Sequence, residues 1–69
     1  MTLVHITHMH HEQEEQSRIW CAKNLEYLPE WKNSTVTVDG PSYTIFYNGY
    51  LKFQSQGDAV WYTLEFLNQ

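Results

Sequence analysis

The chain has 69 residues, with 8 acidic and 4 basic side chains, a formal net charge of -4 and one Cys. This length allows a single domain over residues 1–69, with a core too small to enclose a large active-site cavity. Hydrophobic residues make up 42% and aromatic residues 16% of the chain, which excludes a disordered polypeptide. The chain therefore folds, and we expect its function to lie on its surface.

The same counts exclude several functions and locations. No apolar run approaches the ~20 residues of a membrane span, and the N-terminus lacks the basic and apolar regions of a secretion signal. A lone Cys forms no internal disulfide, so we expect a cytoplasmic protein that does not bind membranes. The four basic residues are scattered along the chain, which argues against direct nucleic-acid binding.

The first two predicted elements are a strand and a helix. Residues 2–7 form a short β-branched run, which favours a strand. Further along, apolar residues at helical spacing place Trp20, Cys21 and Leu25 on one face of a helix that starts near residue 10. Pro29 disfavours a helical conformation of the residue before it, so the helix is predicted to end near Leu28. Because Cys21 lies on the apolar face, we expect a buried, unreactive thiol.

The middle of the chain predicts strands and turns. Residues 34–38 alternate as a second strand, and residues 39–42 form a turn. The dipeptide Asn48-Gly49 then lies in the middle of an alternating run, residues 43–54. Because Asn-Gly supplies the positive φ angles of a type I′ turn, this run predicts two strands joined as a β-hairpin.

The C-terminal part of the chain predicts a second helix. Ser55 and Asp58 have the spacing of an N-terminal capping box, and the helix runs to Leu67. The predicted element order is β-α-β-β-β-α. This order indicates an α+β fold, a two-layer sandwich with a mostly antiparallel sheet and the helices on one face.

The predicted hairpin places six residues on one sheet face: Tyr43, Ile45, Tyr47, Tyr50, Lys52 and Gln54. Tyrosine offers a large, rigid contact area, so this face is a candidate binding surface. The alternative is that tyrosines simply suit half-exposed strands. An even-length turn at 39–42 adds Val36 and Val38 to this face, which then requires a dimer contact or a bound partner, whereas an odd-length turn moves them to the core.

Other candidate partner-binding residues lie on the helices. Trp61 projects from the polar side of the second helix with Glu65, as a binding hot spot would. The alternative is that Trp61 folds down against the N-terminal strand or the loop at Trp31. Glu14 and Glu15 of the first helix are candidates for steering a partner by charge.

A histidine cluster lies between the first strand and the first helix. A candidate zinc site consists of His8, His10, His11 and Glu15, because neutral imidazole and carboxylate are zinc ligands. The alternative is a solvated junction that holds no cofactor.

Nothing in the sequence indicates catalysis. The three glycines are isolated in turns, so no glycine-rich phosphate loop is present. No pair of carboxylates is fixed in a pocket by any visible pattern. We therefore expect a protein that is not an enzyme.

The size, acidity, element order and hairpin-plus-capped-helix segment 43–67 resemble those of small phage-encoded inhibitors of bacterial defence, anti-CRISPR proteins in particular. The resemblance implies a stoichiometric inhibitor that docks on a nucleic-acid-handling complex, in some members with carboxylates in place of phosphates. The candidates for that role in this chain are Glu12, Glu14, Glu15, Glu26 and Glu30.

The leading hypothesis is a protein-binding module that inhibits a host complex through an aromatic surface and an acidic helix. One alternative is a small metal-binding or metal-sensing protein that uses the histidine cluster. Another is a structural subunit that self-associates, in the simplest case as a homodimer.

Overall fold

The computed structural model describes residues 1–67 and contains three strands and two helices. In chain order these are β1 (Thr2–His10), α1 (His11–Asn24), β2 (Glu30–Asp39), β3 (Thr44–Phe53) and α2 (Gln56–Tyr62), which continues as a π-helical segment, Thr63–Leu67. β3 is central and antiparallel to both β1 and β2. The predicted α+β class with an antiparallel sheet is confirmed.

The predicted hairpin at Asn48 and Gly49 is wrong, because β3 runs straight through this dipeptide. The two strands predicted on either side of it are therefore one strand. A type I′ turn needs positive φ at both central residues, but Gly49 alone has a positive φ, of 145°. A Cβ atom at Gly49 would lie 2.9 Å from the Cα of Ser34. The glycine serves the close approach of β2 and not a chain reversal.

Both outer strands carry a bulge opposite Asn48 and Gly49. In β1 the pairing jumps between Ile6 and Met9, and in β2 it jumps between residues 32 and 35. The Asn48 side chain joins the two irregular strands, because its Oδ1 accepts from the backbone N–H of His8 at 2.8 Å and its Nδ2 donates to the Thr37 hydroxyl at 3.3 Å. The bulge in β1 turns both Ile6 and Met9 toward the helices, where they are buried.

The core lies between the helices and one face of the sheet, here called the helix side. The sheet contributes Ile6, Met9, Leu51 and Phe53, all of which register places on this side. The helices add three buried residues: Cys21, Ala59 and Tyr62. Both helices pack on β1 and β3, so the prediction that they share one face of the sheet is confirmed.

A side-chain cap starts α1, and an extended residue ends it. The ring Nδ1 of His10 accepts from the backbone N–H of Glu12 at 3.1 Å and so caps the helix. The helix stops at Asn24, four residues before the predicted end, because Leu25 adopts an extended conformation. Beyond it, the hydroxyl of Tyr27 donates to Asp58 at 2.7 Å and accepts from the N–H of Gln54 at 3.0 Å. This link ties the connecting segment to the start of α2.

α2 begins as predicted. The Ser55 hydroxyl accepts from the N–H of Asp58 at 3.1 Å, which is the capping contact that the sequence indicated. The helix then widens to the π-helical segment after Tyr62, where the Thr63 hydroxyl donates to the carbonyl of Ala59 at 2.8 Å. Over residues 1–67, neither helix has the length and apolar character needed to cross a bilayer.

Candidate protein-binding groove

The helix side of β2 is largely bare. Register pairs Val36 with Tyr47 and Val38 with Ile45, which places all four side chains on the side that the helices cover elsewhere. The helices stop short of β2, however, and Val36 and Val38 remain 57% and 58% exposed. An apolar strip of two strands therefore faces solvent.

The turn before β3 decides this placement. Asp39 pairs with Thr44, so four residues, 40–43, make the turn, and the N–H of Tyr43 donates to the carbonyl of Gly40 at 3.2 Å. This is the even-length case that the sequence left open. Val36 and Val38 accordingly share a face with Tyr47, as that case requires.

A cavity of about 190 Å³ lies at one end of the strip, between α1 and the start of β2. Cys21 and Leu51 are buried residues in its wall, and Trp31 and Leu28 line it from β2 and the connecting segment. The Trp31 ring is half-buried, and its centroid lies 6.1 Å from that of Tyr47. The cavity is thus continuous with the apolar strip.

The α1 wall of the cavity is polar at its rim. Glu14 and Arg18 line it, with Arg18 Nη2 3.9 Å from Glu14 Oε2. Ser17 lies on the same wall and is buried, and its hydroxyl donates to the carbonyl of Glu14 at 3.1 Å. Burial raises the pKa of the Cys21 thiol to about 11, so it stays protonated at neutral pH. This wall presents packing and hydrogen-bonding groups and no activated nucleophile.

We call this surface the β2 groove and define it by residues of the strip and the cavity: Trp31, Val36, Val38, Ile45, Tyr47, Leu51, Cys21 and Glu14. Its floor follows β3 from Leu51 to Ile45, a length of roughly 20 Å at ~3.3 Å per residue. One wall is α1 and the other side is open.

The predicted tyrosine face is split by the continuous path of β3. Tyr47 lies on the helix side, in the β2 groove, whereas Tyr50 and Lys52 lie on the opposite, open side. Tyr43 is in the turn with a φ of 54° and is largely exposed. Because the predicted turn at Asn48 and Gly49 is absent, every pairing around it shifts, and the residues of the predicted face do not form one surface.

The open side of the sheet carries stacked rings. His5 stacks on Tyr50 with centroids 4.8 Å apart, and His8 stacks on Phe46 at 3.8 Å. Lys52 is half-buried beside Glu30, whose pKa is lowered chiefly by its bond to Lys32 at 3.0 Å. The aromatic rings on this side of the sheet therefore stack on one another.

Trp61 is 45% exposed, as its predicted position on the polar side of the second helix requires. Its ring packs edge-on against Trp20 of α1, with centroids 4.8 Å apart. This ring contact joins α1 to α2. Glu65 lies exposed on the π-helical segment, and Glu15 is exposed on α1, away from the β2 groove.

The candidate zinc ligands do not form a ligand set. His8 is stacked on Phe46, and the Nδ1 of His10 is already used as the cap of α1. The Nδ1 of His11 is buried and has no hydrogen-bond partner among the described residues, and the His11 ring stacks on His10 with centroids 4.4 Å apart. Within residues 1–67, no three His, Cys, Asp or Glu side chains are grouped as a metal site.

Sequence reasoning missed most of the β2 groove. The sequence pattern predicts a loop at Trp31, although β2 begins at Glu30 and extends through it. The predicted hairpin puts Ile45 and Tyr47 on the face opposite the helices. The sequence feature that indicates the groove is the turn before β3. Once its length of four residues is known, the register of β2 on β3 places Val36 and Val38 on the same face as Tyr47.

Comparison with protein-family models, curated proteins and solved structures finds no significant match to this chain.

Proposed function

We propose that this chain is a non-catalytic protein-binding module that docks on its partner through the β2 groove. The observation that carries the proposal is the bare apolar strip, in which Val36 and Val38 are more than half exposed. Contiguous apolar surface of this kind marks binding sites on small proteins. Trp31 and Tyr47 are the aromatic residue types that binding surfaces favour, and the cavity beside them accepts an anchor side chain.

We further propose the form of this function that the resemblance implies: a phage or mobile-element inhibitor that docks stoichiometrically on a host nucleic-acid-handling complex. The support is the small size and the net charge of -4. Glu14 lies at the rim of the β2 groove and Glu15 one residue further along α1, so acidic charge is available to steer a basic partner. Such an inhibitor acts in the cytoplasm of the host cell.

The test is a pull-down from bacterial lysate with the tagged chain, read by mass spectrometry. The bait is compared with Val38→Lys, which places a charge in the β2 groove, and with Ile19→Lys, which places one at an equally exposed apolar residue on α1. We expect one complex to be retained by the parent chain and by Ile19→Lys and lost by Val38→Lys. Equal capture by all three baits would contradict docking through this surface.

A further arm addresses the metal-binding alternative. The parent bait is used with and without a chelator, and binding that disappears with the chelator would favour that alternative over the proposed one. Circular dichroism checks the fold of the two variants, and we expect both to retain it because neither position is buried.

A further inference from the structure

A second apolar surface lies on the opposite edge of the molecule. Val60 and Leu64 of α2 and its π-helical continuation are 50% and 59% exposed, and Leu67 follows them at the end of the segment. We call these three residues the α2 stripe. Val60 and Leu64 border a shallow hollow shared with Leu3 of β1, which is itself exposed. The stripe is therefore unpartnered within residues 1–67.

The positions of the two surfaces are related through α1. Trp20 of α1 packs on Trp61 of α2, so α2 lies on one side of α1. Glu14 and Cys21 line the β2 groove, which lies on the other side of α1. The helix layer thus ends in an exposed helix on one edge and in an unfilled groove on the other.

We propose that the β2 groove receives the α2 stripe of a second copy of this chain, so that copies associate head to tail. In this arrangement the helix layer continues from α1 of one copy to α2 of the next. α1 packs on β3, and an incoming β1 placed next to β2 lies two strand spacings of ~4.8 Å from β3. An α2 above that incoming β1 is then ~8–10 Å from α1, which is the distance at which helices pack.

The dimensions of the two surfaces agree. The helical run Gln56–Tyr62 with Thr63–Leu67 has 12 residues and spans roughly 18 Å at 1.5 Å per residue. The floor of the groove is roughly 20 Å long. One exposed helix thus fills the groove along its full length, with Val60 and Leu64 against Val36 and Val38.

The strand edges that meet in this arrangement are free of formal charge. The chain as a whole carries a net charge of -4, so two copies repel on average. The edges that meet here are an exception, because residues 2–7 of β1 carry no formal charge and neither do residues 33–38 of β2. The contact uses one helix face and one two-strand strip, so we expect a weak association that depends on protein concentration, unlike that of a standard interface of ~1,200–2,000 Å².

A head-to-tail contact uses two different surfaces and leaves one of each free at the ends. Such a contact extends beyond a dimer unless the rotation between copies closes a ring. In sedimentation equilibrium, we therefore expect the average mass of the purified chain to rise with concentration and to pass the mass of a dimer.

Two variants test the assignment of the surfaces. Val38→Lys places a charge in the β2 groove and leaves the α2 stripe intact. Leu64→Lys places a charge in the α2 stripe and leaves the β2 groove intact. Each variant alone is expected to remain monomeric, while an equimolar mixture forms a discrete 1:1 dimer, because one intact groove meets one intact stripe. Ile19→Lys is the control and associates like the parent chain.

Three results would overturn the inference. The first is a parent chain that stays monomeric up to millimolar concentration. The second is association of Leu64→Lys with loss only in Val38→Lys, which would mean that β2 pairs with β2. The third is a mixture of the two variants that remains monomeric while the parent chain associates.

These measurements use only the purified chain, so they are independent of the host partner. Loss of self-association in Val38→Lys with an unchanged pull-down would leave the present inference standing and the proposed function refuted. The opposite pair of results would refute the present inference alone.

Discussion

The two outer strands of the sheet start from the same pairing and end in different environments. β1 and β2 both lie antiparallel to β3, and both bulge opposite Asn48 and Gly49. β1 has Ile6 and Met9 buried beneath the helices, whereas β2 has Val36 and Val38 in solvent. Pairing with β3 therefore does not decide which strand contributes to the core. The position of the two helices decides it, and this leaves β2 available for binding.

The largest expected difference between the two regions is in stability. Phe53 is fully buried and packs on Tyr62 with ring centroids 5.2 Å apart. We expect Phe53→Ala to lower the free energy of unfolding by about 3–5 kcal/mol, because it leaves a cavity in the core. Val38→Ala, on the bare strand, should change it by less than ~0.5 kcal/mol. Urea unfolding followed by circular dichroism measures both, and similar losses would mean that β2 is covered in solution.

The next effect concerns the point where both bulges meet. We expect Gly49→Ala to cost about 2–4 kcal/mol, because its Cβ would lie 2.9 Å from the Cα of Ser34 and its φ of 145° disfavours a side chain. Gly40→Ala is the matched control, since no atom lies within 4 Å of the added Cβ, and it should cost under ~1 kcal/mol. Thermal unfolding compares them. Equal melting temperatures would contradict the close approach of β2 to β3.

Titration at high pH probes a buried hydroxyl of the covered region. Burial raises the pKa of Tyr62 to about 12, and among residues 1–67 the Tyr62 hydroxyl has no hydrogen-bond partner. Because the pKa is raised on folding, the stabilisation is complete below pH ~10, the value of an unfolded tyrosine, and is lost as pH rises toward 12.

We expect this contribution of Tyr62 to be about 2 kcal/mol. Tyr62→Phe should unfold less readily above pH ~10 than the parent chain, while near neutral pH it should be as stable or more stable. The variant retains the contribution of Cys21, whose pKa is about 11. Urea midpoints from pH 7 to 12 give the comparison, and parallel curves for the two chains would contradict the burial of this hydroxyl.

The smallest of these effects lies at the boundary of the two regions. The Tyr27 hydroxyl bonds to Asp58 and Gln54, which fixes the segment between α1 and β2. We expect Tyr27→Phe to cost about 1–2 kcal/mol, since both contacts are lost together. Tyr43→Phe, at an exposed hydroxyl in the turn, should be neutral within ~0.5 kcal/mol. Chemical denaturation measures the free energy of unfolding of both variants. Equal values would contradict a stabilising role for the two hydrogen bonds of Tyr27.

The sequence predicted the elements that depend on local signals. The cap at Ser55, the β-branched first strand and the buried thiol of Cys21 are all found where local pattern placed them. The α+β class follows from these elements and is confirmed. Each of these features is set by residues close together in the chain, which is why pattern alone is sufficient for them.

The features that failed depend on contacts between distant parts of the chain. Asn48 and Gly49 have the local signal of a turn, but their conformation is set by the bulges of β1 and β2 on either side. That single difference moves Tyr47 to the helix side and separates it from Tyr50. The extent of the helices over β2 is likewise a property of packing, so the β2 groove has no signature in the sequence apart from the length of one turn.

The dipeptide at the centre of the sheet also has a chemical consequence. In Asn-Gly sequences the backbone nitrogen of glycine readily attacks the side-chain amide carbon of asparagine and displaces ammonia, and the resulting succinimide hydrolyses to aspartate or isoaspartate. Here the Asn48-Gly49 backbone is part of the extended strand β3, and the Asn48 side-chain amide is hydrogen-bonded to His8 and Thr37. Deamidation at this site therefore requires the strand to open first. The rate at which a stored sample ages at Asn48 is a measure of how often the middle of the sheet comes apart.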